Sequence, residues 1–221
     1  MSTITAIEPQ QKRAGRYNIF VDGEFVIGVS EGVVADLSLR VGDLVTTEEL
    51  RMVAAAEEVR KAIDSASGLL AVRARAEREI KTRLITKGYE EGVIGQAIEK
   101  LRDLGLLNDA DFATQWVGAR ASATAGRPMG KRRLAVELGQ KGVARDQVAD
   151  ALSQVSEDDE LSMARAAAQK KVRKIPAGSD ALQAERQKLI GFLQRRGFAW
   201  NVVKQITDET LGAHGAFDED E

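Results

Sequence analysis

The apolar pattern of this chain changes period once, near Thr46. Before that point, residues 17–21 and 25–29 form two short runs rich in β-branched and aromatic side chains. Asp22, Gly23 and Glu24 lie between them, and a Gly that accepts positive φ there predicts a tight hairpin. Residues 4–7 predict a third strand, stopped by Pro9, and residues 31–37 a short helical turn. From Thr46 onward apolar residues recur at helical spacing. Thr46 or Thr47 is placed to cap a helix carrying Glu48 and Glu49 in its first turn and running to about residue 65. Further helices are expected at 67–74, 77–87, 90–104 and 109–122, the last carrying Phe112, Trp116 and Val117.

A single phrase recurs through the helical region: a Leu, two variable residues, a base, a Gly and an apolar residue. Its copies run from Leu84 to Tyr89, from Leu138 to Val143 and from Leu193 to Phe198. Gly88 and Gly142 are 54 positions apart, Gly142 and Gly197 55, so one structural unit is used three times. The phrase reads as a helix C-terminus. The Gly takes the left-handed conformation, the base (Lys87, Lys141 or Arg196) faces the negative end of the helix dipole, and the apolar residue folds back. Ala97, Ala151 and Ile206 follow nine residues after each Gly, on the second helix of each pair.

These signals divide the chain into a β-hairpin module at 1–45, a linker helix with the first three-helix unit and a connecting helix at 46–122, a second unit at 123–175, a third at 176–212 and an acidic tail at 213–221, expected to be disordered. The Gly- and Pro-containing segment 123–131 is expected to act as a hinge.

Composition removes several classes of chemistry. There is no Cys and a single His, His214, so a thiol site, a disulfide frame, a His-based metal site and a Ser-His triad are not expected. No phosphate-cradling GxxxxGK[ST] loop is present, and residues 157–160 (Glu, Asp, Asp, Glu) lack calcium-loop spacing, so they read as a helix start or solvated loop. No catalytic residue, metal or cofactor is expected. The N-terminus has no secretory pattern, and no run of about 18 apolar residues occurs, so a soluble cytoplasmic protein is expected, with no membrane partner.

Charge changes the picture further. Residues 1–60 carry a net −4, residues 61–202 +7 and residues 203–221 −5. A basic middle suits a polyanion or an acidic protein face. Its candidate contact residues are Arg120, Arg127, Lys131, Arg132 and Arg133 around the joint, Lys141 at the second phrase, and Lys170, Lys171, Arg173 and Lys174. Phe112, Trp116, Tyr89 and Phe198 read as core, so no row of stacking rings is expected, and nucleic-acid affinity should be weak and sequence-independent. No helix carries the Arg, Asn and Gln pattern of a base reader.

Two stretches carry a family resemblance. Lys87, Gly88 and Tyr89, continuing to Leu104, Gly105, Leu106, Leu107, Asn108, Asp109, Ala110, Asp111, Phe112 and Ala113, resemble the KGY…LxxLGLLDDxxFA stretch of the RecX family. Residues 130–143 are similar to that family's Gx(K/R)(K/R)(I/L)xxELxxKGV stretch. Asn108 stands where the family usually has an acid, and Arg75-Ala76 where it often has an Arg-Ser cap. The resemblance implies a mainly α fold of tandem three-helix repeats, an elongated and curved array after the β-rich module. It also implies a non-enzymatic, monomeric regulator that binds the filament of the RecA recombinase on single-stranded DNA. Such a regulator inhibits strand exchange, ATP hydrolysis and co-protease activity, with consequences for DNA repair and the SOS response. A stand-alone helical-repeat DNA-binding protein is the alternative.

Overall fold

A computed structural model describes residues 1–122, 124, 126–172 and 178–212. The chain divides into two units, Met1–Leu107 and Asn108–Glu221.

The first unit opens with β1 (Ser2–Pro9), β2 (Arg16–Val21), β3 (Glu24–Ser30), the short helix α1 (Glu31–Asp36) and β4 (Leu44–Val45). The strands form an antiparallel sheet in the order β3-β2-β1-β4. The β2–β3 hairpin turns on Asp22 and Gly23 at φ 50° and 85°, the pair of positive angles that matches strand twist. The Asp22 carboxylate accepts from Thr3 N at 2.8 Å, and that bond holds it below its ordinary range. Ile4, Ile19, Val21, Val29 and Val33 form the core of this module with Val45 and Val53.

Val53 belongs to α2 (Thr47–Leu70), which opens on a capping box between Thr46 and Glu49. This helix departs from the expected pattern. The separate helix predicted at 67–74 does not exist, because α2 runs unbroken to Leu70 through Gly68. Ala62 and Ala66 are fully buried one and two turns before its end, and this packing outweighs the modest helix cost of one Gly. One continuous rod therefore serves two cores. Its first half packs on the sheet, and its second half, with α3 (Glu77–Thr86) and α4 (Glu91–Asp103), makes a three-helix cluster around Ile80, Leu84, Ile98 and Leu101.

A buried carboxylate bolts α2 to the sheet. Glu57 is only 1% exposed, accepts from Ser30 N at 2.7 Å and pairs with Arg16 at 2.8 Å. Glu57→Gln keeps the shape and removes the charge, and should lower stability by about 1.5 kcal/mol in urea unfolding.

The recurring phrase is the same turn each time. Tyr89, Val143 and Phe198 donate their N–H to the carbonyls of Leu84, Leu138 and Leu193 at 3.2, 3.2 and 3.3 Å. Gly88, Gly142 and Gly197 have φ of 87°, 91° and 82°, and each donates to the carbonyl three residues back. This is the paired bonding of a Schellman ending. It explains why the phrase begins with Leu: that residue supplies the accepting carbonyl while its side chain is fully buried.

The second unit holds α5 (Asp109–Gly118), α6 (Lys131–Lys141), α7 (Arg145–Ser153), α8 (Glu157–Lys171), α9 (Ser179–Arg195) and α10 (Trp200–Leu211). The spacing groups α5 with the helices before it, but α5 packs on α7, burying Phe112, Ala113 and Val117. The acidic run at 157–160 is the first turn of α8, closed by a capping box between Ser156 and Asp159. Helices α8, α9 and α10 pack on one another around Met163, Leu189, Leu193 and Ile206.

The expected hinge ends in a fixed contact. Gly130 N donates to Arg196 O at 2.9 Å, Arg132 N donates to Gly197 O at 3.1 Å, and the Arg196 guanidinium donates to Pro128 O at 3.2 Å. A Cβ on Gly130 would lie 2.4 Å from Gly197 O, and one on Gly197 would lie 2.3 Å from Arg133 N. Gly130 is thus a glycine of close backbone approach, and the start of α6 is locked to the α9–α10 turn.

Several carboxylates are held in their charged form. Burial pushes Glu77 and Glu79 up, but hydrogen bonds from Lys81 and Arg102, and from Arg73 and Arg75, outweigh it and leave both below the ordinary range. Arg165 lowers Glu209 in the same way. A depressed folded-state pKa gives stability that is present above the unfolded value and lost as pH falls through the folded one. Thermal midpoints should therefore stay level from about pH 7 to 5 and fall below about pH 4.

Candidate polyanion-contacting surface

The sequence places ten cations as candidate contacts, and the structure sorts them. Three gather around the end of α5. The Arg120 guanidinium lies 3.3 Å from the centroid of the Trp116 ring, and the Lys141 ammonium lies 4.1 Å from it and 5.9 Å from that of Phe112. Glu137 receives Arg133 at 3.4 Å and approaches Arg120 at 3.9 Å. Each ring–cation contact is worth about 1 kcal/mol and fixes the direction of its head group. Lys141 is therefore more than a dipole cap: its long stem carries the charge to another helix.

The third unit repeats the device. Phe192 has Arg196 at 5.0 Å and Lys171 at 5.9 Å from its ring centroid. Trp116 with Arg120, and Phe192 with Arg196, are both aromatic–Arg pairs four residues apart, the spacing at which helical side chains meet. Sequence marks Arg196 only as a terminal charge; in the fold it joins a ring, a carbonyl and a helix end.

The three cations opening α6 differ among themselves. Lys131 turns to the start of α8: its N–H donates to Glu160 at 3.3 Å, and its charge lowers the Asp159 carboxyl after the stronger effect of the Ser156 hydrogen bonds. Arg133 is shared with Glu137. Arg132 is exposed and makes no described side-chain contact, as is true of Arg127. The first amides of α6 are already bonded, to Glu160, Gly197 and Gly130. An anion at this helix end would therefore be met by the cationic side chains rather than by the amides. Lys170 and Lys171 are exposed at the end of α8, while Arg173, Lys174 and the acidic tail lie outside the described residues.

Two contributors were not marked in the sequence. Arg195 is exposed beside the Arg196–Gly197 turn, and Trp200 opens α10 with 45% of its surface exposed. The doubled Arg of the third phrase was the available signal for the first. Among the described residues no helix is long and apolar enough to cross a membrane, and no cluster of metal-ligating side chains occurs.

A small antiparallel sheet followed by successive three-helix clusters defines a class of tandem three-helix proteins. Family models match along the chain: the regulatory protein RecX N-terminal domain at residues 2–46, and the RecX first, second and third three-helix domains at 62–101, 108–152 and 157–207. "Regulatory protein RecX" of Listeria welshimeri is 30% identical over 98% of this chain and 78% of its own length, and that of Clostridium botulinum (strain Eklund 17B) 26% identical over 96% and 97%. A crystal structure of regulatory protein RecX superposes with a TM-score of 0.80 at 27% identity, covering 94% of this chain and all of that one. RecX from Lactobacillus salivarius shares the fold at a TM-score of 0.62 and 22% identity, over 70% of this chain and 97% of its own. The chain belongs to the RecX family of regulatory proteins.

Proposed function

We propose that this protein binds the RecA filament on single-stranded DNA and restrains its strand exchange, ATP hydrolysis and co-protease activity, acting by binding rather than catalysis. The observation that carries the reading is the match of all four RecX domains on a chain whose second unit presents oriented cations. Arg120 and Lys141 are held over Trp116, and Arg127 and Arg132 stand in solvent. A surface of this kind suits a long, repetitive, negatively charged partner better than a small molecule. A monomer in the cytoplasm, with weak sequence-independent affinity for the strand itself, fits this role. Arg173 and Lys174, outside the described residues, are proposed contacts on the strength of sequence alone.

The test is RecA ATP hydrolysis on single-stranded DNA with this protein titrated in. The reading expects inhibition when the protein is far scarcer than RecA. Undiminished hydrolysis together with firm binding to DNA alone would replace it with a stand-alone DNA-binding protein.

A further inference from the structure

Two open grooves on the first unit share one wall. The first, of about 310 Å³, is lined by Leu39, Leu44, Met52 and Val53 with Asp43 and Glu49. The second, also of about 310 Å³, is lined by Ala56, Val59, Ile63 and Leu104 with Arg60 and Lys100. Leu37 lines both, so the grooves meet where α1 ends. Met52, Ala56, Val59 and Ile63 lie at i, i+4, i+7 and i+11, a single stripe along α2. The other faces of α2 are taken: Val53 and Glu57 reach the sheet, and Ala62 and Ala66 the cluster with α3 and α4. Leu44, Met52 and Leu104, spread along the stripe, are 64%, 59% and 55% exposed. Exposed aliphatic side chains in a continuous row mark an interaction surface.

Charge along this strip has a direction. Asp43 and Glu49 stand at its Met52 end, and Arg60 and Lys100 at its Ile63 end, with Asp36 next to Leu37 at the junction. Asp43 and Glu49 accept only from backbone amides and the Thr46 hydroxyl, so neither charge is neutralised. Arg60 is paired with Asp64 at 3.2 Å, while Lys100 is exposed with no described side-chain contact. An α-helix carries the matching polarity, positive at its N-terminal end and negative at its C-terminal end. The stripe is about 16 Å long, the length of three helical turns. An added strand finds little to pair with, because β4, the sheet edge beside the first groove, is two residues long. The carboxylates at one end repel a nucleic-acid strand, and the net −4 of residues 1–60 repels an anionic membrane.

We infer that this strip docks an amphipathic helix of a partner protein. The helix lies parallel to α2 with its aliphatic face on residues 52–63, its N-terminal end at Asp43 and Glu49 and its C-terminal end at Lys100. This rests on the regulator reading and deepens it, since the second unit then meets a polyanion and the first grips protein.

The probe is RecA assembled on single-stranded DNA, titrated with the full chain and two crossed pairs of substitutions. Met52→Lys with Leu104→Glu, and Met52→Glu with Leu104→Lys, remove the same apolar side chains and leave the net charge unchanged. The first pair opposes the polarity of the strip and the second reinforces it. The second pair should weaken binding roughly tenfold and the first roughly a hundredfold. Both positions are exposed, so thermal midpoints should stay level. Equal losses for the two pairs, or no loss for either, would overturn the inference. The chain has no Cys, so Met52→Cys introduces a single thiol. The filament should shield that thiol from a maleimide, while Glu58→Cys, which lines neither groove, stays reactive. Equal reactivity at the two positions would overturn the inference whether or not the paired variants fold. A wild-type dimer dissolved by the first pair would assign the strip to a second copy instead. Failure of the wild-type chain to bind RecA would remove the regulator reading and this one with it, whereas failure of the strip alone leaves wild-type binding intact.

Discussion

Gly197→Ala should be among the most destabilising single substitutions in the second unit, at about 2–5 kcal/mol in chemical unfolding. Two separable costs combine. The residue sits at φ 82°, where a Cβ costs roughly 1–2 kcal/mol. The same Cβ would also lie 2.3 Å from Arg133 N and 2.8 Å from Arg133 Cα, which only a backbone shift can relieve. Two controls divide the effect. Gly88 has φ 87°, and a methyl group there would have nothing within 4 Å, so Gly88→Ala should show the conformational cost alone, about 1–2 kcal/mol. Gly130 has φ −74° but a Cβ there would meet Gly197 O at 2.4 Å, so Gly130→Ala should show only the steric cost, about 1–3 kcal/mol. Equal effects at Gly88 and Gly197 would mean that α6 separates easily from the α9–α10 turn.

The contrast between those glycines shows which features of the fold are readable from sequence. The phrase containing Gly88, Gly142 and Gly197 is legible because its bonds close within six residues, from the apolar residue back to the Leu. The Asp22–Gly23 hairpin and the acidic first turn of α8 are local in the same sense. Gly130 reads as a hinge residue in sequence because the reason for it lies 67 positions away, at Gly197. Glu57 gives no signal, since its partners Arg16 and Ser30 belong to strands and its own spacing fits a solvated helix face. The break expected near residue 66 is absent because burial of Ala62 and Ala66 against α3 and α4 decides the continuity of α2.

The candidate surface follows the same rule. That cations populate α6 and its approach is visible in sequence; which of them are free to act is not. Lys131 and Arg132 are adjacent in sequence, yet the charge of the first acts on Asp159 at the start of α8 while the second is exposed without a described side-chain partner. Lys141 is legible only as a charge at a helix end, because its place over Trp116 depends on how α5 and α6 sit together, whereas Arg196 meets Phe192 at four-residue spacing along its own helix.

This difference makes the cations separable by experiment. Replacing Arg127, Arg132 and Arg133 together by Gln should weaken binding to the RecA filament on single-stranded DNA by roughly fifty-fold at about 0.15 M salt, if each meets one phosphate. The slope of log affinity against log salt should then shrink by about 2, at roughly 0.7 per phosphate contact on a single strand. Arg132→Gln alone should account for at least a third of that slope, because its charge is not shared with a described carboxylate whereas that of Arg133 is shared with Glu137. Lys131→Gln should change the slope less, since its charge already acts on the Asp159 carboxylate. The measurement is the salt dependence of binding for each variant, read beside its thermal midpoint. A slope that falls as far for Lys131→Gln as for Arg132→Gln would show that the Asp159 carboxylate does not govern which cations are available. An unchanged slope for the triple variant would place the polyanion contact elsewhere in the protein.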